Sequence, residues 1–324
     1  MMANWLLTPP IKSIDMSWFN NVIAYRITSP IDLTVEILQA ALAQKPSREL
    51  GDEELKHLGF RTPLPPVDGE ASKVLAHKCE DTILLCAESQ TRSIPGDALK
   101  RGVEAKVHAI EKESQRKVRG AERKEITEGV RLSLAKRVLA KSKRTPLLII
   151  PRSDLIIVNT NKAADAEDIL SLMREVLGSL PVRPVSTVHS PSEVMTGWLR
   201  EKSTPQDLVH QGSALLVGTE SGKAKLEDID LFGEEVNLHL AAGMTVSNIE
   251  LLWHDKIGFR LNSKLVFEKI KFKDLLRDEA ANAAGEGDML QNMDATMIVM
   301  AASLQQMVNE VCATLGGENM PESF

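Results

Sequence analysis

Two stretches of the sequence are similar to catalytic motifs, and neither has the spacing that the chemistry needs. Residues 218–224 look like a phosphate-binding loop, but the stretch is one residue too short between its glycines, and Ala224 stands where magnesium binding requires Ser or Thr. His254-Asp255 is similar to the central dipeptide of metal phosphohydrolases, which also need His and Asp ligands on separate helices. We interpret the first stretch as an ordinary turn and the second as a turn between strands.

The histidines and cysteines also lack the spacing of a metal or catalytic site. The seven histidines form no HxH, HxxxH or HExxH pattern, and Cys79, Cys86 and Cys312 form no CxxC pair. We predict that the cysteines are reduced, structural thiols and that the protein has no metal, no cofactor and no enzymatic activity. A metal-dependent nuclease is the least favoured function because no cluster of metal ligands is visible.

The apolar residues give an expectation about location. No apolar run approaches the ~20 residues that a membrane-spanning helix requires. The apolar residues near the start of the chain follow no cationic region, so they do not form a signal peptide. We therefore expect a cytoplasmic protein with no membrane partner, and we interpret residues 1–15 as a disordered leader.

The strongest feature is a basic segment in an acidic chain. Between Lys100 and Arg144 there are fifteen Lys and Arg against six Glu, whereas the whole protein has a net charge of −6. A charge run is usually the solvated face of a helix, but this excess has one sign and includes doublets such as Arg116-Lys117. We interpret the segment as a surface for nucleic-acid phosphates. The candidate DNA-binding residues are Arg116, Lys117, Arg119, Arg123, Lys124, Lys136, Arg137, Lys141, Lys143 and Arg144.

Other features limit how nucleic acid would be bound. Aromatic residues make up only 4% of the sequence, which disfavours single-strand binders that stack bases on rings. No recognition-helix or zinc-finger pattern is present, so we expect contacts to the nucleic-acid backbone and not to the bases. The apolar Val138 and Leu139 lie among the cations, which suits a contact between protein surfaces.

Hydrophobic periodicity predicts a chain with both strands and helices. Strands are predicted at 18–27, 71–76, 82–88, 147–150 and 154–159, and an antiparallel meander at 247–272. Helices are predicted at 30–44, 163–178, 191–199 and 293–315, with a small-residue linker at 282–287.

The basic segment has apolar residues at helical spacing and weak points at Gly120 and Gly129, so we predict two or three helices in a projecting lobe. The expected organisation begins with the leader at 1–15 and a central α/β domain at 16–98 plus 146–185. A basic helical tip domain follows at 99–145. A C-terminal base domain with an acidic C-terminal helix completes the chain at 186–324.

Several short stretches form a pattern that is specific when they are taken together. The stretch MSWFNNVIAYRI at 16–27 matches a family opening near MWFKNL-x-x-YRL. The helix start Ala98-Leu99, the stretch LGSLPV at 177–182 and the closing LGGE at 315–318 follow in order with compatible spacing. Across residues 16–318 the chain thus resembles the RdgC family of recombination-associated proteins.

The resemblance implies an α+β fold with mixed or antiparallel sheets and packed helices. It also implies a closed, ring-shaped homodimer with a positively lined hole, through which duplex DNA passes without sequence preference. It implies a nucleoid-associated protein that restrains a RecA-type recombinase by occupying DNA, without enzymatic activity. In the family, projecting tips meet through an exposed aromatic residue, and that position falls at Leu139 in this chain. We therefore expect Val138 and Leu139 to form a dimer interface that is weaker than one with an aromatic ring.

A second departure from the family concerns charge. Relatives tend to have a basic stretch before the position of Glu234-Glu235, whereas this chain has Glu227 and Asp228 there. If that stretch faces DNA, the two carboxylates lower the affinity and flatten its salt dependence. The alternative function is a protein-interaction module, in which the basic lobe binds an acidic protein partner and DNA binding is weakened or lost.

Overall fold

The computed structural model describes residues 18–66, 71–218 and 222–320, and the expected leader at 1–15 lies outside these ranges. The described residues form an α+β fold with two antiparallel sheets, which confirms the predicted class. In chain order the elements are β1 (Ile23–Ile27), α1 (Val35–Leu42), β2 (Lys56–Arg61), β3 (Ala76–Cys79), β4 (Thr82–Thr91), α2 (Gly96–Ser114), α3 (Gly120–Ala135), β5 (Lys141–Ile150), a 3₁₀ turn (Pro151–Ser153), β6 (Leu155–Val158), α4 (Ala163–Leu177), β7 (Val182–Pro184), α5 (Pro191–Arg200), β8 (Leu208–Val217), β9 (Lys223–Leu226), α6 (Glu234–Ala241), β10 (Thr245–Trp253), β11 (Ile257–Asn262), β12 (Phe267–Phe272), α7 (Asp274–Ala284) and α8 (Met289–Thr314).

The first sheet has the strand order β2-β4-β5-β6-β1-β7, with β3 paired to β4, and it is buried on both faces. Leu85 and Ile149 on one face pack with residues of α1 and α4. Leu84 and Leu148 on the other face pack with residues of the second sheet and α8. Because both faces need apolar side chains, the central strands are continuous apolar runs and not alternating patterns.

The second sheet has the strand order β12-β11-β10-β8-β9 and is buried on one face only. In β10, Leu251 and Trp253 are buried, whereas Glu250 and Leu252 on the opposite face are partly exposed. The pairing of β10, β11 and β12 confirms the antiparallel meander that alternation predicts at 247–272.

The last helix, α8, connects the two sheets. It contacts β3 and β4 of the first sheet, and its Glu310 accepts a hydrogen bond of 2.7 Å from the indole of Trp253 in the second sheet. An acidic C-terminal helix was expected, yet α8 contains only Asp294 and Glu310 as acids, and most of its length is buried. The acidic residues of this segment therefore lie mainly outside the helix, because a helix packed between two sheets needs apolar faces.

The predicted linker at 282–287 is shorter in the structure. α7 continues to Ala284, so Gly285 to Asp288 separate it from α8. Leu276 and Ala280 of α7 are buried in the same hydrophobic core as the buried side chains of α8. A run of alanines has high helix propensity, which explains why the helix extends into this stretch.

The basic segment forms a helical hairpin of α2 and α3. Its helices pack through Val103, Val107, Ile126 and Val130, in a cluster separate from the two larger cores. At Gly102 an added Cβ would lie 2.8 Å from a methyl of Val130, so glycine is what allows this close approach.

The helical prediction for this segment is wrong at its end. The sequence predicts helix up to Arg144, whereas α3 ends at Ala135 and β5 begins at Lys141. The first residues of β5 pair with the last residues of β4, from Ala87↔Thr145 to Thr91↔Lys141. This pairing satisfies backbone hydrogen bonds with a partner far away in sequence, which local periodicity does not reveal. The domain boundary expected after residue 145 thus falls inside a strand.

Glu88 is a buried carboxylate on β4, at the point where the β4–β5 pair leaves the core. It is 6% exposed and accepts hydrogen bonds of 2.7 Å from Arg61 and 2.6 Å from Ser142, with a further bond from Ser47. Arg144 lies 3.7 Å from the same carboxylate. Burial alone would raise the pKa of Glu88, but the bonds from Ser142 and Ser47 and the charge of Arg61 outweigh it and hold the pKa below its usual range.

We expect Glu88→Gln to lower the free energy of unfolding by about 2–3 kcal/mol, because it leaves two cations without their buried partner. Urea denaturation at pH 7 measures this loss. Since the pKa of Glu88 is lowered by folding, its contribution is complete above about pH 4.3, the pKa of an unfolded Glu, and disappears as the pH falls through the folded value. Glu53→Gln is the control, since its exposed 3.4 Å pair with Lys136 is worth at most about 1 kcal/mol. Equal losses in both variants would contradict the prediction.

Candidate nucleic-acid interface

The ten candidate cations lie in three places along the hairpin and its connection to the first sheet. All ten side chains are exposed. Five are at the α2–α3 turn and the first turns of α3, two follow α3, and three begin β5. In that order they are Arg116, Lys117, Arg119, Arg123 and Lys124, then Lys136 and Arg137, then Lys141, Lys143 and Arg144.

Half of these cations are in ion pairs, so the expected surface of uncompensated charge is only partly present. Arg116 pairs with Glu122 through bonds of 2.6 and 2.7 Å, and Lys117 lies 2.9 Å from Glu111. The other three pairs are Lys136 with Glu53 at 3.4 Å, Lys143 with Asp165 at 2.6 Å and Arg144 with Glu88 at 3.7 Å.

The pairs have a simple physical origin. Glu111 and Glu122 belong to the same segment, and the tight α2–α3 turn brings them beside Arg116 and Lys117. The partners of the other three cations come from β4, α4 and the loop before β2, outside the segment. Exposed pairs are worth at most about 1 kcal/mol, so a phosphate can displace such carboxylates.

The remaining candidates are available to a ligand. Arg119, Arg123, Lys124, Arg137 and Lys141 have no carboxylate within salt-bridge distance in the part of the chain that the structure describes. They extend from the distal turn of the hairpin to the start of β5, and together they form a discontinuous basic surface.

Val138 and Leu139 lie between α3 and β5, at the end of the hairpin that joins the first sheet. Leu139 is 90% exposed, whereas Val138 is half-buried, so Leu139 provides most of the apolar contact area. An exposed leucine among cations has no role in the core of the monomer.

The structure adds a second basic surface that sequence reasoning missed. On the exposed face of the second sheet, Arg260, Lys269, Lys271 and Lys273 line a depression of about 220 Å³ together with Glu250. The three lysines alternate with the buried Ile270 and Phe272 along β12 and beyond its end. The alternating pattern at 267–273 was the signal that could have revealed this row of lysines.

Glu227, one of the two acidic departures, lies beside this basic surface. It pairs with Lys225 at 2.6 Å. The hydrogen bond from Lys225, with the charges of Lys269 and Arg260, holds the pKa of Glu227 below its usual range. The carboxylate therefore stays ionised and neutralises part of the second sheet's positive charge.

The residues considered for catalysis do not assemble into a site. His254 and Asp255 have φ values of +47° and +55° in the turn between β10 and β11, which confirms the interpretation as a turn. Across residues 18–66, 71–218 and 222–320, no three His, Cys, Asp or Glu form a group that could hold a metal ion. The stretch at 218–224 lies partly outside the described residues, and its last two residues begin β9.

The three cysteines are free thiols in the structure, as predicted. Burial raises the pKa of Cys86 to about 11 and that of Cys312 to about 12, and burial also raises the pKa of Cys79. A thiol must lose its proton to act as a nucleophile or a metal ligand, so these residues are unreactive near neutral pH.

None of the helices that the structure describes is both long enough and apolar enough to cross a lipid bilayer.

Comparison with known proteins agrees with the resemblance noted in the sequence. A family model described as "Putative exonuclease, RdgC" matches residues 17–318. The Recombination-associated protein RdgC of Pseudomonas syringae pv. syringae (strain B728a) is 34% identical over 309 residues, which cover 95% of this chain and 100% of the relative. Proteins of the same name from Pseudomonas entomophila (strain L48) and Pseudomonas aeruginosa (strain LESB58) are 34% and 33% identical, over 94% of this chain and 99% of each relative.

The two kinds of name differ in what they say about activity. The description of the family model mentions an exonuclease, whereas the relatives are named for recombination and not for an enzymatic reaction. The matched residues include both sheets, the helical hairpin and α8. Over nearly its whole length, therefore, this chain belongs to the RdgC family.

Proposed function

We propose that this protein binds duplex DNA without sequence preference and without catalysing a reaction on it. The observation that carries the proposal is the set of exposed cations on the hairpin and β5 that have no carboxylate partner among the described residues, Arg119, Arg123, Lys124, Arg137 and Lys141. Membership in a family named for recombination supports it, since recombination acts on DNA.

In the proposed mechanism, the cations neutralise backbone phosphates and release counterions from the DNA. Five cations are available at once, and the exposed pairs, such as Arg116 with Glu122, open where a phosphate competes better than the carboxylate. The base edges are not contacted, so affinity depends on salt and not on sequence.

The assembly in this proposal is a ring-shaped homodimer that encircles the duplex. Leu139 provides an apolar contact between two copies of the hairpin lobe, formed by residues 99–145. The acidic remainder of the chain, which gives the protein its net charge of −6, keeps DNA away from the outside of the ring. By occupying DNA, the ring restrains a RecA-type recombinase in the nucleoid.

A second function is supported by the ion pairs. Half of the candidate cations already have carboxylate partners, and Glu227 neutralises Lys225. Such a surface also suits an acidic protein partner, whose carboxylates would exchange with the intramolecular ones.

The first test is binding of a random-sequence duplex, measured by fluorescence anisotropy over a range of KCl concentrations. With about six to eight phosphates neutralised, we expect log affinity to fall against log salt with a slope of about −5 to −7. Replacing Arg119, Arg123 and Lys124 by Gln should reduce the steepness by about 2.7 for each protomer that contacts the DNA, because about 0.9 is lost per contact.

The matched control for this triple variant replaces three exposed cations away from the hairpin, Lys73, Arg200 and Lys202, by Gln. This control should bind like the wild type. If the wild type does not bind duplex at low salt, the DNA proposal is wrong and the acidic protein partner becomes the better explanation.

Glu227→Gln tests whether the second sheet also faces DNA. Removing this carboxylate frees Lys225 for a phosphate, so the salt slope should steepen by about 0.9 for each protomer that contacts the DNA, and the affinity should rise. Glu201→Gln removes an exposed carboxylate elsewhere and serves as the control. An unchanged slope for Glu227→Gln would place the DNA away from the second sheet.

Leu139→Ser tests the dimer contact. Burying a leucine side chain contributes about 1.5–3 kcal/mol, so we expect the dimer dissociation constant to rise by at least about tenfold. Sedimentation equilibrium measures it, with Val188→Ser, which changes an apolar residue that is 58% exposed, as the control. Equal dissociation constants for wild type and Leu139→Ser would show that Leu139 is not in the interface.

A further inference from the structure

A cleft of about 500 Å³ lies between the first sheet and α4. Its floor is the polar end of three neighbouring strands, where Lys56 of β2, Thr91 of β4 and Lys141 of β5 are aligned in one row of the sheet. Leu58, Ser89 and Lys143 form the next row. The N-terminal part of α4 forms the wall with Lys162, Asp165, Asp168 and Ile169. The volume is in the range of small-molecule sites.

The charges in this cleft favour an anion. It is lined by four lysines and two aspartates, and each aspartate is already neutralised. Lys56 lies 2.6 Å from Asp168, and Lys143 lies 2.6 Å from Asp165. Lys141 and Lys162, in contrast, have no carboxylate partner in the described part of the chain, so the cleft has a net positive charge.

Hydroxyl groups in the cleft give a second and independent indication of a ligand. Thr145 is only 3% exposed and lines the cleft, and its hydroxyl has no hydrogen-bond partner among the described residues. Ser89 and Thr91 also line the cleft with hydroxyls that lack such a partner. The Thr145 Oγ1 is not one of the fully buried polar atoms that lack a partner among the described residues, so this hydroxyl is open to the cleft. An oxygen-rich anion would supply acceptors for all three hydroxyls.

We propose that this cleft binds the phosphate group of a nucleotide. Lys141 and Lys162 neutralise the phosphate, Thr145 donates a hydrogen bond to one of its oxygens, and Leu58 and Ile169 pack against the apolar part of the ligand. The nucleotide is either a free molecule or one unit of a DNA strand, and both present the same chemistry. Only the second source rests on the proposed DNA binding.

The test measures the affinities for deoxyadenosine monophosphate and for deoxyadenosine by isothermal titration calorimetry. The affinity for a random-sequence duplex is measured by fluorescence anisotropy. If the ligand is a free nucleotide, the wild type should bind the monophosphate at least about tenfold more tightly than the nucleoside. If the ligand is a DNA strand, the cleft variants should bind the duplex more weakly than the wild type does. Thr145→Val and Lys141→Gln should each weaken binding of the cleft's ligand by at least about tenfold. Lys73→Gln, which removes an exposed charge far from the cleft, should leave binding unchanged.

Thr145→Val also separates a binding role from a structural role. Because the hydroxyl makes no hydrogen bond to the described residues, replacing it by a methyl of similar size should not lower the melting temperature. A loss of binding with unchanged melting temperature therefore assigns the hydroxyl to the ligand.

The outcomes distinguish a free nucleotide from a unit of a DNA strand, and they separate the cleft proposal from the proposal of DNA binding by the hairpin. Loss of monophosphate binding with unchanged duplex affinity in Thr145→Val identifies a free nucleotide, and this result stands even if the wild type does not bind duplex. Weaker duplex binding in Thr145→Val, a residue outside the ten DNA candidates, identifies a backbone phosphate. If Thr145→Val changes neither the monophosphate nor the duplex affinity, the cleft proposal is overturned, whereas DNA binding is still decided by the hairpin variants.

Discussion

The structure depends on the pairing of β4 with β5, which runs without interruption from Ile83↔Ile149 to Thr91↔Lys141. At one end the two strands are apolar on both faces and lie in the centre of the molecule, between α4 and α8. At the other end the same strands are polar and connect to the helical hairpin. A continuous backbone ladder therefore carries the basic hairpin on a rigid support anchored in the core.

The two faces of the β4–β5 pair differ at its polar end. On one face, the buried carboxylate of Glu88 interacts with Arg61, Arg144 and two serines, which fixes how the strands leave the core. The other face is the floor of the phosphate cleft, where Thr145 and Lys141 lie open to a ligand. Because successive side chains of a strand point to opposite faces, the same short stretch can serve stability on one side and binding on the other.

The basic segment contains more cations than are free to bind a ligand. The basic segment has an excess of nine positive charges by its composition of fifteen cations and six glutamates, but half of its candidate DNA contacts are paired. Most pairs are exposed and weak, so they lower the affinity for a polyanion without preventing its binding. The surface is suited to contacts that form and break readily, as the proposed DNA binding without sequence preference requires.

The sequence by itself determined the antiparallel meander, the turn at His254-Asp255 and the family, because each depends on periodicity or order along the chain. The α+β class followed from the resemblance to the family. It also identified the basic segment, since composition alone reveals an excess of one charge. Only the tertiary structure decided that Lys141 to Arg144 are in a strand, which cations are paired, and that β12 presents a row of lysines. The physical reason is that strand pairing, ion pairs and clefts join residues distant in sequence, such as Lys143 with Asp165 or Lys136 with Glu53, and no local pattern records those distances.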